Sequence, residues 1–452
     1  MDEIRILSPT AILGYGFPEQ SFEEGLGREP HVIAVDAGSS DPGPYYLGAG
    51  VSFTDRSAVK RDLQIILCAG VARGIPVIIG SAGGAGAKSH VAWVADIIRE
   101  IASEQELRLR LALIDSEIDK KTVRTALNQQ RISSCGGSPT LTEQDIEESG
   151  RIVAQLGIEP LIGALNSGAD VVLAGRAYDP SVFAAFPVMR GFDFGLALHL
   201  GKILECAAIA CVPGSGSDCM LGILTRDHFE LEPLNPQRKC TVASVAAHSL
   251  YEKSDPYRLP GPGGILDLTD TRFEQVDERR VRVSGSKHIE TTYTLKLESA
   301  KRVGHRYISI AGVRDPIFIA QSDSIVDTVK ERVADNFAQV NRQDYTLIFR
   351  VYGRNAVLGP AEPIRDAAPH EVGIVIEAVA RTAQLAKAIC SFARSTMLHL
   401  GYPDRISTAG NLAFPYSPSD FDVGEVFEFS IYHLMQVDDP ATYFPAVIEN
   451  IG

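Results

Sequence analysis

Short apolar runs with the composition of buried strands recur along the first part of the chain. Residues 31–36 (HVIAVD), 77–79 (VII), 108–114 (RLRLALI) and 171–174 (VVLA) are such runs. Stretches of helical periodicity alternate with them. Residues 54–74 place Leu63, Ile66, Leu67 and Val71 on one face, with Thr54 or Asp55 to cap the start and Gly74 to end it. Residues 89–102 and 142–156 predict two more helices. Strands alternating with helices, each strand ending in an acid or a glycine turn, predict an α/β fold with a doubly wound, mostly parallel sheet.

The texture changes near residue 240. Residues 280–284 and 293–297 alternate with period two, and further short strands are expected at 307–313 and 315–320, giving a β-rich subdomain. Residues 322–340 predict a helix. The tail resembles a small α+β domain, with strands at 345–352 and 372–379, a helix at 382–400 and strands at 410–416 and 426–435. The expected division is a parallel α/β core at 1–240, the β-rich segment at 241–340 and the α+β domain at 341–452.

A chain of 452 residues with 45% hydrophobic and 22% charged residues has the composition of a globular protein. Its net charge of −14 argues against nucleic acid and against an anionic membrane surface, both of which require a basic face. No apolar stretch is long enough to span a bilayer, and the first residues lack the apolar core of a signal peptide. The seven cysteines include no C-x-x-C pair, which points to reduced thiols and a cytoplasmic setting. A homo-oligomer is expected, since sheets of this kind commonly self-associate.

Candidate chemistry lies at the strand ends, where open α/β sheets place their sites. Residues 80–87 (GSAGGAGA) follow one strand and precede a helix. Ser81, Gly83 and Gly84 there offer either an anion pocket at a helix N-terminus or a tight turn that only lets helix and sheet approach. The register ending in Lys88-Ser89 has alanine at both glycine positions of a P-loop, and G-x-G-x-x-G fails after Gly86, so a nucleotide cofactor is disfavoured. Asp36 with Ser39 and Ser40, Asp115, and the pair Arg176 and Asp179 close three other strands. Arg176 is suited to clamp a carboxylate or phosphate, and the aspartates to general acid–base chemistry or to Mg²⁺. Helix capping by Asp179 and plain turn chemistry are the competing structural explanations. His199, Lys202 and Glu205 share a helix face without metal-ligand spacing, and Cys219 is a weaker nucleophile candidate with His228 and His248 downstream.

Gly48-Ala-Gly50, Gly80-Ser-Ala-Gly-Gly84, Leu173-Ala-Gly-Arg176-x-x-Asp179-Pro180, Gly201-Lys-Ile-Leu-Glu205, His248-Ser-Leu-Tyr-Glu252 and Arg280-Val-Arg-Val-Ser-Gly285 occur in that order. Together they resemble the acyclic terpene utilisation protein A family over roughly residues 1–340, and the tail is similar to a ferredoxin-like appendage carried by some members. The resemblance implies a small carboxylate or a CoA thioester as ligand. Three functions follow as expectations, two of them leading. One is a hydratase or other lyase with catalytic Asp36, Asp115 or Asp179 and an anion held by Arg176 and the glycine turn. The other is a non-catalytic ligand-binding subunit working with a partner enzyme, and a hydrolase built on Cys219 is the weaker third.

Overall fold

A computed structural model describes residues 2–364 and 368–452. It is a mixed α/β structure with thirteen α-helices and several sheets among the described residues. The chain divides into two units, Met1–Lys301 with Phe429–Gly452, and Arg302–Glu428.

The larger unit is built on a ten-stranded sheet. Its centre is five parallel strands in the order Ile4–Ser8, Val32–Asp36, Val77–Gly80, Val171–Ala174 and Leu109–Ile114. These strands are buried on both faces, and successive residues serve two different cores. Val32, Ala34, Ile78 and Val172 join the core that includes Phe183 and Leu200, whereas Ile33, Val35, Ile79 and Leu173 join the one that includes Leu63 and Ile98. The period-two geometry of a strand produces this split. Continuous apolar runs therefore mark the centre of this sheet.

The sheet is mixed rather than mostly parallel. His228–Pro233, Met220–Leu224, Val281–Ser284 and Arg272–Gln275 extend one side, and Ala446–Ile451 the other, all through antiparallel pairings. Short connections such as residues 225–227 and 276–280 explain the difference, because a parallel pair needs a crossover of a dozen or more residues. A separate three-stranded antiparallel sheet joins Arg258–Gly261, Gly264–Asp267 and Lys287–Glu290.

Local expectations were corrected in three places. The helix expected at 142–156 stops at Glu148, after a Thr142–Asp145 capping box, and Ile152–Ala154 becomes a strand against Leu297–Ser299. Residues 316–320 form a short helix, because Asp315 accepts the backbone N–H groups of Ile317 and Phe318 ahead of Pro316. The strand expected at 410–416 contributes only an isolated bridge from Ala413 to Gly312.

In the smaller unit, Tyr345–Tyr352, Val372–Ala380 and the later part of the long strand Thr294–Val313 pair antiparallel. The helices Ser322–Asn336 and Ala383–His399 bury Val329, Val333, Ile389 and Met397 in one core with Ile374 and Ile376. Among the described residues, no helix is long and apolar enough to cross a membrane.

Candidate active site at the ends of the parallel strands

The glycine turn begins with Ser81, whose φ of 48° lies in the left-handed region that side chains seldom adopt. Hydrogen bonds from Ser81 N to the Gly175 carbonyl and from Ala82 N to that of Ala174 fix the turn on the neighbouring strand. This strained backbone aims the Ser81 hydroxyl between Arg176 and Asp179. It accepts from Arg176 Nη1 (3.1 Å) and lies 3.4 Å from Asp179 Oδ1. A Cβ added at Gly86 would stand 2.0 Å from the Arg176 backbone nitrogen, so the glycine is required by close approach of two chain segments. Gly83 and Gly84 are closed in by the side chains of His90 and Phe53.

In the helix that follows, Lys88–Glu104, two donors at the N-terminus are engaged by side chains of the protein itself. Lys88 N donates to Glu117 Oε1 (2.8 Å) and Ala87 N to His90 Nδ1 (3.1 Å). The negative charge favoured at a helix N-terminus is supplied here by Glu117.

Arg176 follows the strand Val171–Ala174 and is 3% exposed. Its Nε donates to Glu298 Oε2 (2.9 Å), and its Nη1 to Asp179 Oδ1 (2.9 Å) and the Ala177 carbonyl (3.0 Å). Glu298, on the strand Thr294–Val313, also accepts from Ser40 Oγ (3.0 Å) and Gln155 Nε2 (3.3 Å) and pairs with Lys296 Nζ (3.0 Å). Burial works against the Glu298 charge, yet Arg176 and Lys296 overcome it and hold the carboxyl at about 2.

Around this ion pair stand carboxyl groups with the opposite character. Asp36 Oδ2 accepts from Gly38 N (3.0 Å), while Oδ1 is buried without a partner. Burial, reinforced by the Asp179 charge, raises Asp36 well above the ordinary carboxylate range. Asp179 is raised as well, by burial against the pull of Arg176. Glu205 caps the C-terminal end of the helix Phe194–Leu204. Its Oε1 accepts from Lys202 Nζ (2.6 Å), and its Oε2 is buried and unpartnered. Burial lifts its pKa to about 7, partly offset by Lys202. For Lys202 itself, burial opposes the charge and Glu205 overcomes that, keeping its pKa above the usual lysine range.

The end of the helix Val242–Ser249 and the loop after it lie against this group. His248 Nε2 is buried and unpartnered, its ring stacks on Tyr251 at 5.4 Å, and burial with the Lys202 charge lowers it to about 4. Lys202 Nζ lies 5.6 Å from the Tyr251 ring centre, and Lys253 Nζ lies 6.0 Å from that of Tyr178. Burial lowers the Lys253 pKa against the attraction of Glu205.

The structure thus brings together Asp36, Ser40, Ser81, Arg176 and Asp179. Asp115 stands apart: its carboxylate pairs with the exposed Lys88 Nζ (2.8 Å) and accepts from Glu117 N. Ser39 Oγ accepts from Asp41 N as an ordinary turn residue. His199 is a core histidine held between Ser286 Oγ (2.7 Å) and Ser249 Oγ (2.9 Å). Cys219 is buried, and burial with the charges of Asp218 and Asp62 drives its thiol well above the usual range, the reverse of an activated nucleophile. Among the described residues, no group of three or more His, Cys, Asp or Glu side chains is arranged to hold a metal ion, so the Mg²⁺ expectation finds no ligand set there.

Glu298, Lys296, Glu205, Lys202 and His248 are the additions sequence reasoning did not assign to the site. Gly201-Lys-Ile-Leu-Glu205 and His248-Ser-Leu-Tyr-Glu252 carried a signal as motifs, but Glu298 sits in a strand whose alternation looked amphipathic.

Fold and site together define an α/β protein with a buried acid–base cluster where the parallel strands end. The family described as acyclic terpene utilisation family protein AtuA matches residues 56–215 and 233–406, and the chain belongs to that family. The matched stretches include Ser81, Arg176, Asp179, Glu205 and Glu298, whereas Asp36 precedes them. No curated protein and no solved structure matches the chain.

Proposed function

We propose that the protein is an enzyme of acyclic terpene catabolism, a hydratase or other lyase acting on a small carboxylate or a CoA thioester. The observation that carries this reading is the pair of buried carboxyl groups, Asp36 and Glu205, each with one oxygen lacking a partner. Buried polar atoms in folded proteins are almost always hydrogen-bonded, so such atoms in one charged cluster fit a site awaiting its ligand. Arg176, Lys202 and Lys296 place positive charge beside these carboxyl groups, which suits an anionic substrate.

Glu205, with a pKa of about 7, is suited to take and return a proton near neutrality. In a dehydration, Glu205 removes the proton α to the carbonyl, and the C–H electrons form the new double bond. The β C–O bond breaks, and its oxygen leaves as water with the proton held by Asp36. Lys202 and Arg176 stabilise the negative charge that develops on the carbonyl oxygen. Asp179, fixed by Arg176 and Ser81, orients that frame.

The test is thermal shift and turnover with CoA thioesters, free dicarboxylates and nucleotides, each with and without Mg²⁺, on the wild type, Asp36→Asn and Glu205→Gln. A ligand at about 100 times its Kd adds roughly 2.7 kcal/mol to stability. A thioester or carboxylate should shift all three proteins, and only the wild type should turn it over at full rate. Wild-type turnover in Glu205→Gln would overturn the assignment of the base. Binding without turnover in the wild type would favour a non-catalytic subunit that works with a partner enzyme.

A further inference from the structure

Cys211 follows the short 3₁₀ turn Ala207–Ala210, and Cys240 leads into the helix Val242–Ser249. Between the two segments, Val212 N donates to the Lys239 carbonyl (2.8 Å) and Lys239 N to that of Val212 (3.1 Å). This reciprocal exchange makes Val212 and Lys239 a hydrogen-bonded antiparallel pair. One residue further along each segment, Cys211 faces Cys240 as the non-hydrogen-bonded pair, where Cα atoms of a ladder lie about 4.5 Å apart. Disulfides span Cα separations of about 4.4–6.8 Å, so a position of this kind suits one.

The side chains agree. The two sulfur atoms lie 3.9 Å apart, and both residues are buried, Cys211 at 4% and Cys240 at 0% exposure. The backbone on one side is fixed, because Cys240 N donates to the Arg279 carbonyl and Gln275 Nε2 donates to that of Cys240. The hydrogen bond to Cys211, together with burial, raises the Cys240 thiol above the usual range, so its thiolate is scarce at neutral pH.

We propose that Cys211 and Cys240 are a dithiol that closes to an internal disulfide when a small disulfide oxidant, such as oxidised glutathione, reaches the fold. Cys211, the less buried, attacks one sulfur of the oxidant as its thiolate and expels one reduced thiolate. Cys240 then attacks Cys211 Sγ in the mixed disulfide and expels the second. The protein loses two protons and two electrons, and the oxidant gains them as two thiols. The bond would tie the segment following Glu205 to the segment leading into the helix of His248.

The experiment is incubation of the intact protein with a graded ratio of oxidised to reduced glutathione, followed by acid quenching, alkylation and peptide mapping. The expected result is one cross-linked peptide pair containing Cys211 and Cys240, with Cys68, Cys135, Cys206, Cys219 and Cys390 entering no internal cross-link, and a rate that rises with pH. The oxidised protein should melt at a higher temperature than the reduced one, because the closed loop restricts the unfolded chain. Cys240→Ala should instead accumulate a glutathione adduct at Cys211. The proposal is overturned if Cys211 and Cys240 are both fully alkylated by label applied after unfolding, under conditions that oxidise a reference dithiol. It is equally overturned if the wild type stops at a stable adduct on Cys211. The wild-type measurement stands alone should either cysteine variant fail to fold.

Discussion

Two corners of the larger unit share one plan and differ in how their polar groups are satisfied. At residues 80–90 a strand turns through glycines into a helix, and the helix N-terminus is already served by Glu117 and His90. At residues 174–181 a strand turns through Gly175 into a second helix, and there Arg176 meets Asp179, Glu298 and, through its field, Asp36. The first corner is dense in glycine, and its Ala87 and Lys88 donors are spent on the protein's own side chains. The second has a single glycine and gathers groups whose protonation is far from ordinary. Glycine density here reports how closely two backbones approach, whereas chemistry is marked by buried charge that the protein leaves partly unanswered.

The largest effect that tests this contrast is expected from Arg176→Ala. Glu298 is fully buried, and removing its arginine leaves a charge with Lys296 alone to answer it. A loss of about 3–5 kcal/mol in urea unfolding is expected for a broken buried pair. A loss below about 1 kcal/mol would show that Arg176 is not committed to Glu298 and is available to a ligand as a clamp. Loss of binding in this variant is informative only if it stays folded.

At the other corner, Gly86→Ala should cost about 1–3 kcal/mol, since its Cβ meets the Arg176 backbone at 2.0 Å and its φ of +67° disfavours a side chain. Because the neighbour is backbone of the second corner, the cost should come with a change in the thermal shift given by an anionic ligand. A stability loss that leaves ligand binding untouched would separate the two corners.

The smallest signal is a slope. A carboxyl raised from 4.5 to about 7 on folding takes up a proton in that window, so its contribution to stability falls as pH rises through it and is level above. Two histidines work the other way: His248 at about 4 and His199 at about 3 add stability as pH rises toward 6.5. The useful quantity is therefore the wild type relative to Glu205→Gln, measured by urea unfolding at steps of pH. That difference should fall between pH 4.5 and about 7, by no more than roughly 1.4 kcal/mol per pH unit. Parallel curves would place Glu205 at an ordinary carboxyl value.

The sequence by itself determined the strand–turn–helix units and the residues that end them. Apolar runs bounded by Asp36, Gly80 and Gly175 identify the central strands, and Ser81, Arg176 and Asp179 follow from their position at strand ends. Those signals are local, because a turn's chemistry and a strand's apolar composition are written in consecutive residues. The tertiary structure decided everything that depends on convergence. Glu298 reaches Arg176 across 122 residues of chain, and no local pattern announces such a pair. The alternation read at 293–297 is present, with Leu295 and Leu297 buried, but residues 297–300 are all buried, so just beyond it the strand lies between two packed faces. Asp115 and Asp36 close two parallel strands of the same sheet and look alike in sequence. One pairs with an exposed lysine while the other is sealed beside Asp179, because desolvation depends on what the fold lays over a residue and not on the residues beside it.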